Sequence, residues 1–68
     1  MHTEVYEADP FTGRRGRLLM TLETDYRFER GDEITLDSDE GPARLRVIQV
    51  RLHISGDTIR REMIVLRL

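Results

Sequence analysis

The residues on either side of Gly56-Asp57 restrict the fold of this 68-residue chain more than any other feature. Before that pair, Ile48, Val50, Leu52 and Ile54 lie on one side of an extended backbone, with Gln49, Arg51 and His53 on the other. After it, Ile64, Leu66 and Leu68 share a face, and Met63 and Val65 take the opposite one. Alternation with a period of two marks a strand, because successive side chains of an extended chain point to opposite faces. A Gly-Asp link of two residues suits the mirror-image turns that match the twist of a hairpin. The pattern therefore predicts a long hairpin, with residues 43–54 paired to residues 58–68. Upstream, Leu45 and Val47 sit on the opposite parity to Ile48–Ile54. A change of parity within one strand predicts a β-bulge, where an extra residue bends and twists the chain. Residues 58–68 also admit a helix capped by Ser55 or Asp57, with Ile59, Met63 and Leu66 on one side, which would make the fold α+β. The β-branched Ile64 and Val65, and an antiparallel partner close at hand, weigh against it.

The rest of the chain divides at its turn residues into three more extended pieces. The first runs from Thr3 to Ala8 around Val5 and Tyr6 and ends at Asp9-Pro10, after which Gly13 and Gly16 supply freedom for a turn. The second, Arg17–Glu23, places Leu18, Met20 and Leu22 on one face. The third, Glu33–Leu36, turns Ile34 and Leu36 inward, and Asp37–Pro42 then forms a turn in which proline, lacking an N–H, is expected to end pairing. The expected fold is all-β: a single small domain over residues 1–68, a five-strand antiparallel barrel or barrel-like sheet. The stretch Phe28-x-x-Gly31-Asp32-x-Ile34-x-Leu36 resembles a pattern common in SH3-like and related small barrels. The resemblance implies that the aromatic packs inward, the glycine turns the chain and the aspartate caps the turn before a short strand. It speaks to architecture and not to activity.

Catalytic and metal chemistry find little foothold. There is no cysteine, which removes disulfides and thiolate metal sites. Ser38 and Ser55 fall in turns, while His2 and His53 fall at the terminus and on the polar side of a strand, where both are read as solvated. The acidic turn from Asp37 to Gly41 fails as a calcium loop, because its glycine comes one position early and no glutamate closes it. So short a chain is also expected to leave little volume for a pocket of several hundred Å3. No catalytic, metal-binding or cofactor-binding residue is assigned, and no small-molecule substrate or cofactor is expected. No apolar run approaches the roughly 20 residues of a membrane helix, so no membrane partner is expected and the cytoplasm is the default location.

Charge carries more information. All 11 basic residues are arginine, as a GC-rich genome produces, or as selection for a bidentate grip on phosphate or carboxylate would produce. Residues 1–43 hold 5 arginines and 11 carboxylates, net −6; residues 44–68 hold 6 and 2, net +4, which recovers the overall −2. Arg44, Arg46, Arg51, Arg60 and Arg61, with Arg67 near the end, thus make the final hairpin basic. They are either an exposed strip able to meet phosphates or the partners of Glu62, Asp32 and Glu33 in cross-strand pairs. The loop Pro10–Arg17 is the second candidate. There Phe11 either folds back to close the core or stands out as an anchor rimmed by Arg14, Arg15 and Arg17. The reading favoured by the sequence is a non-enzymatic binding or assembly module working through protein–protein contacts. Its partner is another protein or a second copy, the latter in a symmetric dimer through the edge of residues 63–68. The alternative is a small β-barrel that binds nucleic acid through the arginine-rich hairpin.

Overall fold

A computed structural model describes all 68 residues, and every regular element in it is a strand. The strands are β1 (His2–Ala8), β2 (Arg15–Glu23), β3 (Glu33–Ser38), β4 (Gly41–Ser55) and β5 (Thr58–Arg67). They form one sheet in the order β2-β1-β5-β4-β3, curled into a half-barrel. The all-β expectation holds, and the helical alternative for 58–68 gives way to β5. The expected wholly antiparallel pairing does not hold throughout, since β1 runs parallel to β5 and the sheet is mixed. The position of β5 also removes the edge-to-edge dimer expected of residues 63–68, because both sides of β5 are occupied by β1 and β4.

The hairpin forms as its residues dictate. Gly56 takes a φ of 62°, as the first central position of such a turn requires. The parity change in β4 is a register shift between Val47 and Gln49 that leaves Ile48 as the extra residue. Pro42 departs from expectation, for it lies inside the β3–β4 ladder opposite Asp37. It sits next to the hydrogen-bonded pair Ser38–Gly41 that closes the turn, at a position where the alternating ladder asks for no bond to β3. On the other side, backbone bonding toward the end of β5 stops at Arg44, whose carbonyl accepts the Leu68 N–H at 2.9 Å, so nothing there needs the missing N–H either.

Val5, Leu45, Val47, Met63 and Val65 make the core on the concave face, with Leu19, Met20, Leu22, Phe28, Ile34, Leu36 and Val50 packed around them. Leu18, expected on one face with Met20 and Leu22, is exposed, because the register slip at Leu19 breaks the alternation. The core parity of β5 is thus that of Met63 and Val65. Ile64, on the opposite parity, is buried on the outer face. Burial runs without a break from Arg61 to Val65, as expected for a strand covered on both sides. β2 and β3 do not pair with each other. The gap between them is an apolar cleft of about 220 Å3, lined from both edge strands and closed in part by Phe28. The Phe28–Asp32 segment does what its pattern implies. Phe28 packs on the core, Gly31 turns at a φ of 98°, and the Asp32 carboxylate accepts the Glu29 N–H at 2.8 Å.

Arg61 fixes the crossover from β2 to β3. It lies on the concave face, 6% exposed, with its guanidinium 5.1 Å from the centre of the Phe28 ring. It donates to the Thr3 hydroxyl (3.1 and 3.0 Å), the Tyr26 carbonyl (2.7 Å) and the Thr24 carbonyl (3.3 Å). No carboxylate pairs with it; carbonyls, a hydroxyl and an aromatic face replace water around the charge. Arg61 therefore leaves the basic strip that the sequence suggested. No helix is long and apolar enough to cross a membrane. Arg61→Met keeps the stem and removes the donors, leaving two crossover carbonyls unsatisfied. It is expected to cost about 3 kcal/mol in urea unfolding. Amide exchange should rise first in residues 24–32; an unchanged midpoint would show that the clamp contributes nothing.

Candidate functional site

The outer face of the sheet is polar and holds one broad depression of about 650 Å3, open to solvent. Its lining comes from three places: Gly13, Arg14 and Arg15 from the β1–β2 hairpin, Gln49, Arg51 and His53 from β4, and Glu62 and Ile64 from β5. The expectation of little volume for a pocket in so short a chain is revised only this far: the depression is wide, but it is open to solvent. The curl of the sheet and the lean of the first hairpin supply the volume.

Two devices bring the hairpin over the sheet. The β1–β2 ladder slips register between Val5 and Tyr6 and again between Tyr6 and Ala8, which twists the pair. Gly16 then lets the strands close up, since a Cβ there would stand 2.7 Å from the Glu7 carbonyl oxygen. The loop itself is ordered by Asp9. Its carboxylate accepts the N–H groups of Phe11 (2.8 Å) and Thr12 (3.2 Å), and its backbone pairs with Arg14 and Gly13. Phe11 is held 95% exposed at the tip of this loop, so it does not fold back on the core.

At the floor, the Glu62 side chain is 2% exposed, and three basic groups converge on its Oε2. Arg15 donates from 3.1 Å and Arg60 from 3.3 Å. His53 Nε2 lies 3.2 Å away but off the hydrogen-bonding direction, which leaves this buried nitrogen without a hydrogen-bond partner. Arg15 reaches Glu62 across β1, its guanidinium 4.8 Å from the centre of the Tyr6 ring. Arg60 also binds Glu4 at 2.7 Å, and the Tyr6 hydroxyl donates to the same carboxylate at 3.2 Å. Partial burial pushes the Glu4 carboxyl up, but the Tyr6 hydroxyl, Arg60 and His2 outweigh it and hold the group below the ordinary 4.5. Burial, and then the Glu4 carboxylate, push the Tyr6 phenol upward.

The arginines expected to act together are thus divided. Arg14, Arg15 and Arg51 meet at the basin, and Arg60 stands beside it. Arg44 and Arg46 are held away from it by Glu33, at 3.1 and 3.2 Å, and the Arg44 hydrogen bonds keep the Glu33 carboxyl below 4.5. Arg17 and Arg67 both approach Glu7, at 4.0 and 3.2 Å. Within the basin, Arg15 is paired with Glu62, whereas Arg14 and Arg51 form no ion pair. Two arginines from segments far apart in sequence therefore line one depression without an ion-pair partner. No protein-family model, curated protein or solved structure matches the chain.

Sequence reasoning missed the roles of Gln49, His53 and Glu62 here. The sequence pattern places His53 among solvated side chains and Glu62 only among neutralising partners. The available signal was that Glu62 and Asp57 are the only acids among the hairpin arginines. An acid so outnumbered on a central strand is a natural hub for them.

Glu62→Ala would leave Arg15 and Arg60 without their shared partner. It should cost about 2–3 kcal/mol in chemical unfolding, less than a fully buried pair because both arginines can turn to water. Gly16→Ala should shift the amide resonances of Arg14, Arg15 and Gln49 together; a change confined to residues 15–17 would mean that the hairpin's lean does not depend on Gly16. Glu4 and Glu33 have lowered folded-state values, so their stabilisation is complete above the ordinary 4.5 and is lost as pH falls through the lowered values. A carboxyl NMR titration should find both midpoints below 4.5, and Glu4→Gln or Glu33→Gln should flatten the acid limb of the stability curve.

Proposed function

We propose that this chain is a non-enzymatic binding module that receives an acidic segment of a protein partner in the outer-face basin, with Phe11 as an apolar anchor at its edge. One observation carries the reading: Arg14 and Arg51 face the same depression with no carboxylate partner, next to a loop that holds a phenylalanine almost wholly in water. A planar guanidinium grips a carboxylate in a bidentate way, and arginine and exposed aromatics are the residues on which binding energy concentrates. Asp9 fixes the loop before binding, so little ordering remains to oppose association.

A nucleic-acid role has weaker support. Arg44, Arg46, Arg60, Arg67 and Arg17 each lie against a carboxylate, which shortens the basic strip to the basin. Phe11 is the one strongly exposed aromatic near it, whereas single strands are held by several stacked bases.

An amide-resolved NMR titration with a short Glu/Asp-rich peptide carrying one leucine separates the two readings. Shifts are expected at Gly13, Arg14, Gln49, Arg51 and His53. Arg14→Glu and Arg51→Glu should each weaken binding at least about tenfold, and Phe11→Ala by about the same factor. A response only to mixed-sequence single-stranded DNA or RNA, falling steeply with salt, would transfer the site to the nucleic-acid reading.

A further inference from the structure

The upper half of β4 has an open edge. β3 pairs with it only from Gly41 to Arg46, and the preceding turn carries the bonding one residue further, through the Gly31 N–H to the Val47 carbonyl (2.7 Å) and the Val47 N–H to the Asp32 carbonyl (2.9 Å). From Gln49 to Ser55 the strand is bonded on one side only, to β5. An edge with unpaired N–H and C=O groups is a template for another strand. Here the template also carries an apolar stripe. Val50, Leu52 and Ile54 point to the concave side, with Leu52 58% and Ile54 68% exposed, and Ile59, opposite Ile54, 46% exposed. The devices that guard free edges are sparse, for residues 48–55 contain no proline, lysine or acidic residue and Arg51 is their one fixed charge. The outer edges of β2 and β3 carry Arg15, Arg17, Glu23, Glu33 and Asp37.

We infer that this edge binds a second copy of the chain, strand to strand and antiparallel, about a twofold axis through Leu52. In that register Val50 of one copy lies opposite Ile54 of the other, Leu52 opposite Leu52, Arg51 opposite His53 and Gln49 opposite Ser55. The apolar residues meet on one face and the polar ones on the other, as facing pairs of an antiparallel ladder must. A slip of one residue would put every apolar side chain against a polar face. A slip of two in one direction sets Arg51 against Arg51; in the other it leaves Val50 opposite the Gly56 turn.

The ends of the open edge also fit a second copy. The arriving hairpin tip, Gly56-Asp57, reaches the point where the turn Arg30–Asp32 closes the gap. Neither Asp57 nor Arg30 takes part in an ion pair within its own chain, and the antiparallel arrangement brings the two opposite charges together at both ends of the interface. A foreign extended strand would satisfy the backbone but would have no reason to supply this pair. The interface uses the backbone and the concave side, and on the outer face it sets the partner's strand beside Gln49, Arg51 and His53 at the rim of the basin. The inference rests on the open edge and not on what the basin binds.

Sedimentation velocity of the full chain from micromolar to millimolar concentration tests the inference. A monomer–dimer equilibrium is expected, with amide exchange in residues 49–55 slowing as concentration rises. Leu52→Lys and Ile54→Lys replace exposed side chains and should leave circular dichroism unchanged while weakening the dimer at least about tenfold. Asp57→Arg and Arg30→Asp should each weaken it about threefold, and together restore it. Arg14→Glu, in the basin, should leave it intact. A chain that stays monomeric throughout, even if it captures an extended peptide at this edge, overturns the inference. So does a dimer indifferent to both lysine variants, or one whose exchange protection appears on β2 or β3.

Discussion

Two consecutive residues at the centre of the sheet, Arg61 and Glu62, carry opposite charges to opposite faces of β5, and both are buried. A charge taken out of water must be surrounded by fixed polar groups or it will not stay. Each residue accordingly gathers structure around itself. Arg61 draws the Thr24 and Tyr26 carbonyls down onto the concave face and so sets the path of the crossover, which places Phe28 over the core. Glu62 draws Arg15 across β1 and Arg60 from its own strand, and so sets the floor of the basin. Neither arrangement could form if β5 lay at an edge.

Much of this was legible in the residues, and the remainder was hidden for identifiable reasons. The hairpin at Gly56-Asp57, the bulge at Ile48 and the device at Phe28–Asp32 follow from local patterns, and local patterns are what a sequence displays most openly. The direction of β1 beside β5 was not legible, because alternation with a period of two reads the same for parallel and antiparallel neighbours. Nor was the fate of each arginine. Arg51 and Arg61 look alike in sequence, and only the crossover passing over one of them separates a buried clamp from a free guanidinium. The basin was half visible: its two sources were both singled out, but the register slips that bring them together lie in β1 and β2, where Leu18-Leu19-Met20 gives no parity change to read.

The ion pairs of the outer face are better understood as filters than as supports. Most involve side chains that are 40% or more exposed, and pairs of that kind add little to stability. What they do is decide which cations remain available. Of the arginines on this face, the carboxylates of Glu4, Glu33 and Glu62 occupy all but Arg14 and Arg51. The protein thereby narrows a generally basic hairpin to one small region of unspent positive charge.

The parallel pairing of β1 with β5 also governs the order in which the molecule can be assembled. Thr3 and Arg61, which bond through the interior, are 58 positions apart. The β1–β2 hairpin and the β3–β4–β5 meander can each close early, because their partners are near in sequence. The two meet only where β1 lies beside β5, so the entropy of that long loop is met in the one step that joins them. A chain stopped just before Thr58 would therefore be two loose ribbons with their apolar sides in water, and the last strand acts as the keystone that joins them.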